Sequence, residues 1–225
     1  MSKKQSSTAE QNLQQVETAL GRSEQWIEDN QKSITIFVLA FIIAVGGYWG
    51  FKKLYVEPRN VDAQKAVFQA QNYFGNDDFQ QALDGDGVTP GFLEIIDSYG
   101  NTKAGKLAKY YAGISYLNLG QYEEALGYLK SFKTKNPELK AVKEGAIGDC
   151  YLELGEKDQA LKYYNSAIAV NDAVTTPFFL LKKGMLLEEM GNKTEALKAY
   201  TTIKEEYAES VEASQIEKYI SRVSL

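Results

Sequence analysis

Hydrophobic residues fall along this chain in two regimes. From Ile34 to Phe51 they run together with no charged residue among them. Beyond Asn60 they recur every three or four positions, and short polar stretches carrying a glycine separate the groups. The first regime predicts one helix that is apolar on every face, which the core helix of an ordinary soluble domain does not need. At about 1.5 Å rise per residue it extends roughly 27 Å, close to the hydrocarbon thickness of a bilayer. Tyr48, Trp49 and Tyr55 gather at its end and Trp26 precedes it, as expected of rings that prefer the headgroup region. The second regime predicts amphipathic helices, because no strand alternation persists.

The apolar run has the character of a retained anchor rather than a cleaved signal. A polar tail of thirty-three residues precedes it, and its end reads Gly46-Gly47-Tyr48-Trp49-Gly50-Phe51, with bulky rings where a peptidase needs small side chains. One such run predicts one crossing. In the tail, Ser7 and Glu10 have capping-box spacing, and Leu13, Val16 and Leu20 share a face, so a short amphipathic helix from about Thr8 to Asp29 is expected.

The helical regime repeats. Gly113-x-x-Tyr116, Gly148-x-x-Tyr151 and Gly184-x-x-Leu187 open three similar stretches, 35 and then 36 positions apart. Each has a turn glycine (Gly120, Gly155, Gly191) and then an Ala-Leu pair (Ala125-Leu126, Ala160-Leu161, Ala196-Leu197). The small residues predict close packing of a first helix on a second. This layout resembles the tetratricopeptide repeat (TPR), a pair of antiparallel helices about 34 residues long. Tyr164 and Tyr200 stand at that family's large position on the second helix, where the first stretch has Leu129. Pro137 stands at its proline position, where the later stretches have Asp172 and Ala208. Ala70-x-x-Tyr73, Phe79 and Ala82-Leu83 continue the template backwards until Asp84-Gly85-Asp86-Gly87 breaks it. That break reads as an acidic turn, since the spaced ligands of a calcium loop are missing. A short helix is expected over Gly91 to Tyr99, and Thr176-Pro177 is expected to cap and start a helix. The anchor helix is expected to run on, with a bend near Pro58, into the first repeat helix.

The expected fold is all-α, a single N-terminal transmembrane helix followed by a TPR-like α-solenoid. Its parts are a polar tail (1–33), the anchor (34–51), a degenerate first repeat with a connecting segment (52–101), three repeats (102–207) and a C-terminal capping helix (208–225). The TPR resemblance also implies a concave groove lined by the first helices. Its groove positions fall here on Tyr110, Ile114 and Leu117, on Val142, Asp149 and Leu152, and on Phe178, Leu181, Met185 and Glu188. The apolar members Tyr110, Ile114, Leu117, Leu152, Phe178, Leu181 and Met185 are the candidate partner-binding residues, the alternative being that some of them pack against the capping helix. Those positions hold no basic clamp for a terminal carboxylate, so an apolar, partly acidic groove is expected.

Charge and chemistry narrow the function. The net charge is -5 with both signs interspersed, which disfavours nucleic acid as a partner. There are no histidines, and Cys150 is the only cysteine, so the commonest general base and a Cys-x-x-Cys site are both absent. No phosphate loop, Gly-x-Ser-x-Gly elbow or metal-ligand spacing occurs, and carboxylate pairs such as Glu188-Glu189 read as solvated helix faces. The expectation is a non-enzyme without cofactor, metal or small-molecule substrate.

The whole layout resembles the YfgM-like ancillary subunits of the bacterial SecYEG translocon. The resemblance rests on Trp26-Ile27-Glu28-Asp29-Asn30-Gln31-Lys32 before the anchor, Tyr48-Trp49-Gly50-Phe51, Ala63-Gln64-Lys65-Ala66 and the ending Ile220-Ser221-Arg222-Val223-Ser224-Leu225. It implies an inner-membrane protein with a cytoplasmic tail and a periplasmic repeat domain. It further implies partners in SecYEG, a PpiD-type membrane chaperone and exported clients. Local charge points the other way: Arg22 and Lys32 precede the anchor, whereas Lys52, Lys53, Arg59 and Lys65 follow it. A cytoplasm-facing, membrane-tethered adaptor is therefore the alternative.

Overall fold

In the computed structural model the described residues are 21, 26 and 28–224. The amphipathic helix expected over Thr8 to Asp29 falls almost wholly outside them. Contacts divide the chain into two units, one up to Pro58 and one from Arg59 onward.

The first unit is dominated by α1, Gln31–Phe51, which has no buried residue. Phe37, for example, is 76% exposed and Ile43 70%. Its 21 residues extend about 31 Å, and its most apolar window reaches a mean hydropathy of 2.1. This is one long apolar helix, of the length and composition that can cross a membrane. After Phe51 the helix widens into a π turn over Lys52–Val56 and resumes as α2, Glu57–Gly75. The widening has a local reason. Pro58 has no N–H to give the Leu54 carbonyl, and its ring crowds that carbonyl in a regular α turn.

In the second unit, α2 is followed by two short helices, α3 (Phe79–Asp84) and α4 (Phe92–Tyr99). Three helix pairs come next: α5 (Lys103–Asn118) with α6 (Tyr122–Ser131), α7 (Pro137–Glu153) with α8 (Lys157–Ile168), and α9 (Thr175–Glu189) with α10 (Lys193–Glu206). A 3-10 turn, Glu212–Gln215, leads into α11, Ile216–Val223. Each pair also packs on the next, and α11 packs on α10, so the core is a chain of linked clusters.

The helix ends follow local chemistry. Gly120, Gly155 and Gly191 take φ of 75°, 78° and 77°, the left-handed conformation that stops the first helix of each pair. Thr102 and Asn136 cap α5 and α7, accepting from Gly105 N at 2.9 Å and Leu139 N at 2.6 Å, with Pro137 in the first turn of α7. At α9 the structure corrects the expectation. The helix starts at Thr175, and Asp172 does the capping, accepting from the N–H groups of Val174 and Thr175 at 2.8 and 2.7 Å. Thr176 is buried instead, its hydroxyl accepting from Asp172 N at 2.9 Å. Pro177 remains tolerable because the first-turn N–H groups have no partner within a helix. The Asp84–Gly87 break is a turn closed on Asp86, whose carboxylate accepts from Val88 N, Thr89 N and the Tyr73 hydroxyl at 2.8, 2.6 and 2.8 Å. Those bonds hold its pKa well below the usual carboxylate range.

The repeat glycines sit where a side chain has no room. A Cβ on Gly113 would stand 2.6 Å from Leu129 Cγ, one on Gly148 2.7 Å from the Tyr164 ring, and one on Gly184 2.3 Å from the Tyr200 ring. Each contact joins the first helix of a pair to its second. The fully buried tyrosines each remove on the order of 150 Å² from water, roughly 3 kcal/mol. Gly145 makes a fourth close contact, a Cβ there standing 1.9 Å from Phe179. That contact locks α7 to α9 across a repeat boundary. α11 buries Ile216 and Val223 against Leu180, Tyr200 and Ile203, covering the apolar side of the last pair.

Two outcomes follow for stability. Gly148→Leu and Ala160→Leu each force volume into a filled contact and should destabilise the folded chain by about 3 kcal/mol or more in denaturant melts. An unchanged melting temperature for either contradicts this packing. Ser115 behaves oppositely. Its fully buried hydroxyl is the one buried side-chain polar atom without a partner among the described residues. Ser115→Ala should raise stability by about 1 kcal/mol, and a loss would show that the hydroxyl has a partner.

Candidate functional site

The first helices of the three pairs, α5, α7 and α9, each turn one side toward a shared groove of about 930 Å³. Its apolar lining includes Leu117 from α5, Leu152 from α7 and Met185 from α9. Leu117 and Leu152 are half-buried, and Met185 is 46% exposed. The other four candidate residues lie outside this lining. Tyr110 leans on Phe132, ring centroids 5.6 Å apart, and Ile114 packs beside the second core cluster in chain order. Leu181 rests against the last pair's core. Phe178 is 42% exposed, with the Lys182 ammonium 5.0 Å from its ring centroid.

The polar lining differs from the expected one. Asp149 and Glu188 do enter the groove, but each meets a cation that the family's groove positions do not contain. Lys182 Nζ lies 2.7 and 2.8 Å from the two Asp149 oxygens. Arg222, on α11, places Nη2 2.7 Å and Nε 2.5 Å from the Glu188 oxygens, a two-point grip. Asp149 and Glu188 are thus paired charges rather than bare acids. Lys182 could have been suspected, because it lies one helical turn from Phe178 on the same face. Arg222 carried no signal, since its approach depends on how α11 docks.

The large tyrosines connect core and groove. The Tyr164 hydroxyl donates to Asp149 at 2.7 Å, and the Tyr200 hydroxyl donates to Glu188 at 3.0 Å. Burial, reinforced by the neighbouring carboxylates, raises both phenols far above their ordinary values, so they remain donors. In the first pair Leu129 stands at the tyrosine position, opposite Ile114 and Leu117, which need no donor. Tyr122 and Glu153 also line the groove, with the Tyr122 hydroxyl 3.3 Å from the Glu153 carboxylate. Cys150 lies behind this wall, fully buried, its thiol pushed up to about 12 by burial. It is a packing residue and a poor nucleophile at neutral pH. Among the described residues no group of three or more His, Cys, Asp or Glu is placed to hold a metal ion.

The Arg222 hydrogen bond, with help from Tyr200, holds the Glu188 carboxyl below its ordinary value. A depressed carboxylate contributes stability above its unfolded pKa, about 4.3, and loses it as pH falls through the folded value. Melts taken from pH 7 down to pH 3 should therefore show a steeper acid loss in the wild type than in Glu188→Gln. Parallel acid limbs would mean that the pair contributes nothing to folding.

Comparison with known proteins agrees with this geometry. Residues 107–138, 145–173 and 179–210 match family models described as tetratricopeptide repeat. No curated protein matches the chain. Two crystal structures of MamA superimpose with TM-scores of 0.53 and 0.50 at 17% and 19% identity, covering 72% and 69% of this chain and 86% and 92% of theirs. The crystal structure of nearly identical TPR-like repeats from a Podosopora anserina kinesin light chain protein gives 0.57 at 13% identity, covering 73% of this chain and 85% of that one. At such identities these likenesses speak to fold alone. The chain carries tetratricopeptide repeats in a TPR-like α-solenoid, an architecture that serves as a protein-interaction scaffold.

Proposed function

We propose that this chain is a non-catalytic, single-span protein of the bacterial inner membrane whose repeat domain binds protein partners at the SecYEG translocon. In this reading the tail is cytoplasmic and the repeats are periplasmic. The partners are the translocon, a PpiD-type membrane chaperone and exported clients. The observation that carries it is the pairing, in one chain, of an apolar helix with no buried residue and a solenoid whose groove holds half-exposed apolar side chains. Water does not tolerate about 31 Å of unshielded apolar helix, and a bilayer does. Half-exposed Leu117 and Leu152 and exposed Met185 are suited to an apolar partner segment. The translocon itself enters through the sequence resemblance.

A second reading, a membrane-tethered adaptor facing the cytoplasm, draws on Lys52, Lys53, Arg59 and Lys65, which follow α1. One pair of experiments separates the two. A reporter fused after Leu225 should be active only in its periplasmic form, and crosslinking in native bacterial membranes should capture translocon subunits. Activity of a cytoplasmic reporter alone, with capture of a different complex, would refute the first reading and favour the second.

A further inference from the structure

We propose that the groove receives an apolar protein segment carrying a cation, the ammonium of Lys or the guanidinium of Arg, which pairs with Glu153. This rests on the reading of the groove as the partner site. Four carboxylates line the groove, Asp149, Glu153, Glu188 and Glu189, against two cations, Lys182 and Arg222. Three of the four already have a cation of their own. Asp149 has Lys182 at 2.7 Å, Glu188 has Arg222 at 2.5 Å, and Glu189 has Lys157 at 2.8 Å. Glu153 is exposed, and among the described residues it accepts only the long Tyr122 bond of 3.3 Å. It shares the groove with Leu117 and Leu152, so a segment seated on that apolar floor brings its own side chains near the carboxylate.

The sign of the remaining charge selects the occupant. An anionic segment meets an unpaired carboxylate and gains no free cation, because Lys182 and Arg222 are engaged. A cationic one completes the groove's last pair. Discrimination thus comes as much from repulsion of acidic segments as from attraction of basic ones.

The test uses the full chain in nonionic detergent and fluorescence anisotropy of short, labelled Leu- and Ala-rich peptides. One carries Arg, one citrulline (the same shape without the charge) and one Glu. The Arg peptide should bind about threefold to fivefold more tightly than the citrulline peptide, as fits an ion pair at a half-open surface, with the Glu peptide weakest. Salt should shrink the difference, and Glu153→Gln, checked for an unchanged melt, should abolish it. Equal affinity of the wild type for the Arg and citrulline peptides overturns the proposal, whatever the variant does. A difference that survives Glu153→Gln assigns the cation to another carboxylate and also overturns it. If no peptide binds, both the proposal and the groove reading beneath it fall, whereas equal binding of all three removes only the cation.

Discussion

The close seating of the Tyr164 ring on Gly148, and of the Tyr200 ring on Gly184, is the contact on which the repeat stack depends. A backbone without a side chain leaves a notch, and a large ring from the second helix fills it. The contact sets how near the two helices of a pair come. It also aims the phenol along a fixed line, so that its hydroxyl emerges beside Asp149 in one pair and Glu188 in the next. Packing and groove chemistry are therefore one arrangement. The ring supplies buried area and its tip orients a carboxylate that would otherwise sample several rotamers.

The groove is graded by the same rule. Where Leu129 replaces tyrosine, the facing positions are Ile114 and Leu117, and the wall is apolar. Where tyrosine is present, an acid stands opposite and draws in a cation from elsewhere, Lys182 along α9 or Arg222 from α11. The last cation has a double duty. α11 buries Ile216 and Val223 to close the open end of the solenoid, and its exposed side reaches back to Glu188. The end cap is thus also part of the groove wall.

The first unit obeys a different solvent logic. α1 has no buried face, so its stability cannot come from packing within the chain. By length and composition it is a helix that can cross a membrane, where backbone hydrogen bonds have to close internally. Lys52 and Lys53 follow directly, and Lys53 lies 5.4 Å from the Trp49 ring centroid, a cation on an aromatic face. Such pairs suit the polar boundary of a bilayer.

The sequence by itself determined the fold class, because periodicity, turn glycines and notch glycines are local signals that each repeat states again. Gly113, Gly148 and Gly184 marked close helix approaches in advance, but that Leu129, Tyr164 and Tyr200 are the side chains that fill them was decided by the packing. The sequence also marked the apolar helix, whose character depends only on composition. Tertiary structure decided the rest. Phe178 and Phe179 are chemically identical neighbours, yet one faces solvent and the other fills the space at Gly145, a choice made by the neighbouring pair. The α9 start moved to Thr175 because the Asp172 carboxylate reaches two N–H groups that Thr176 does not. The charge state of the groove was the least legible feature. Asp149 and Glu188 read as bare acids along the chain, and the cations that neutralise them lie 33 and 34 residues away in sequence. Pairings at that distance are set by how helices dock, which no local pattern encodes.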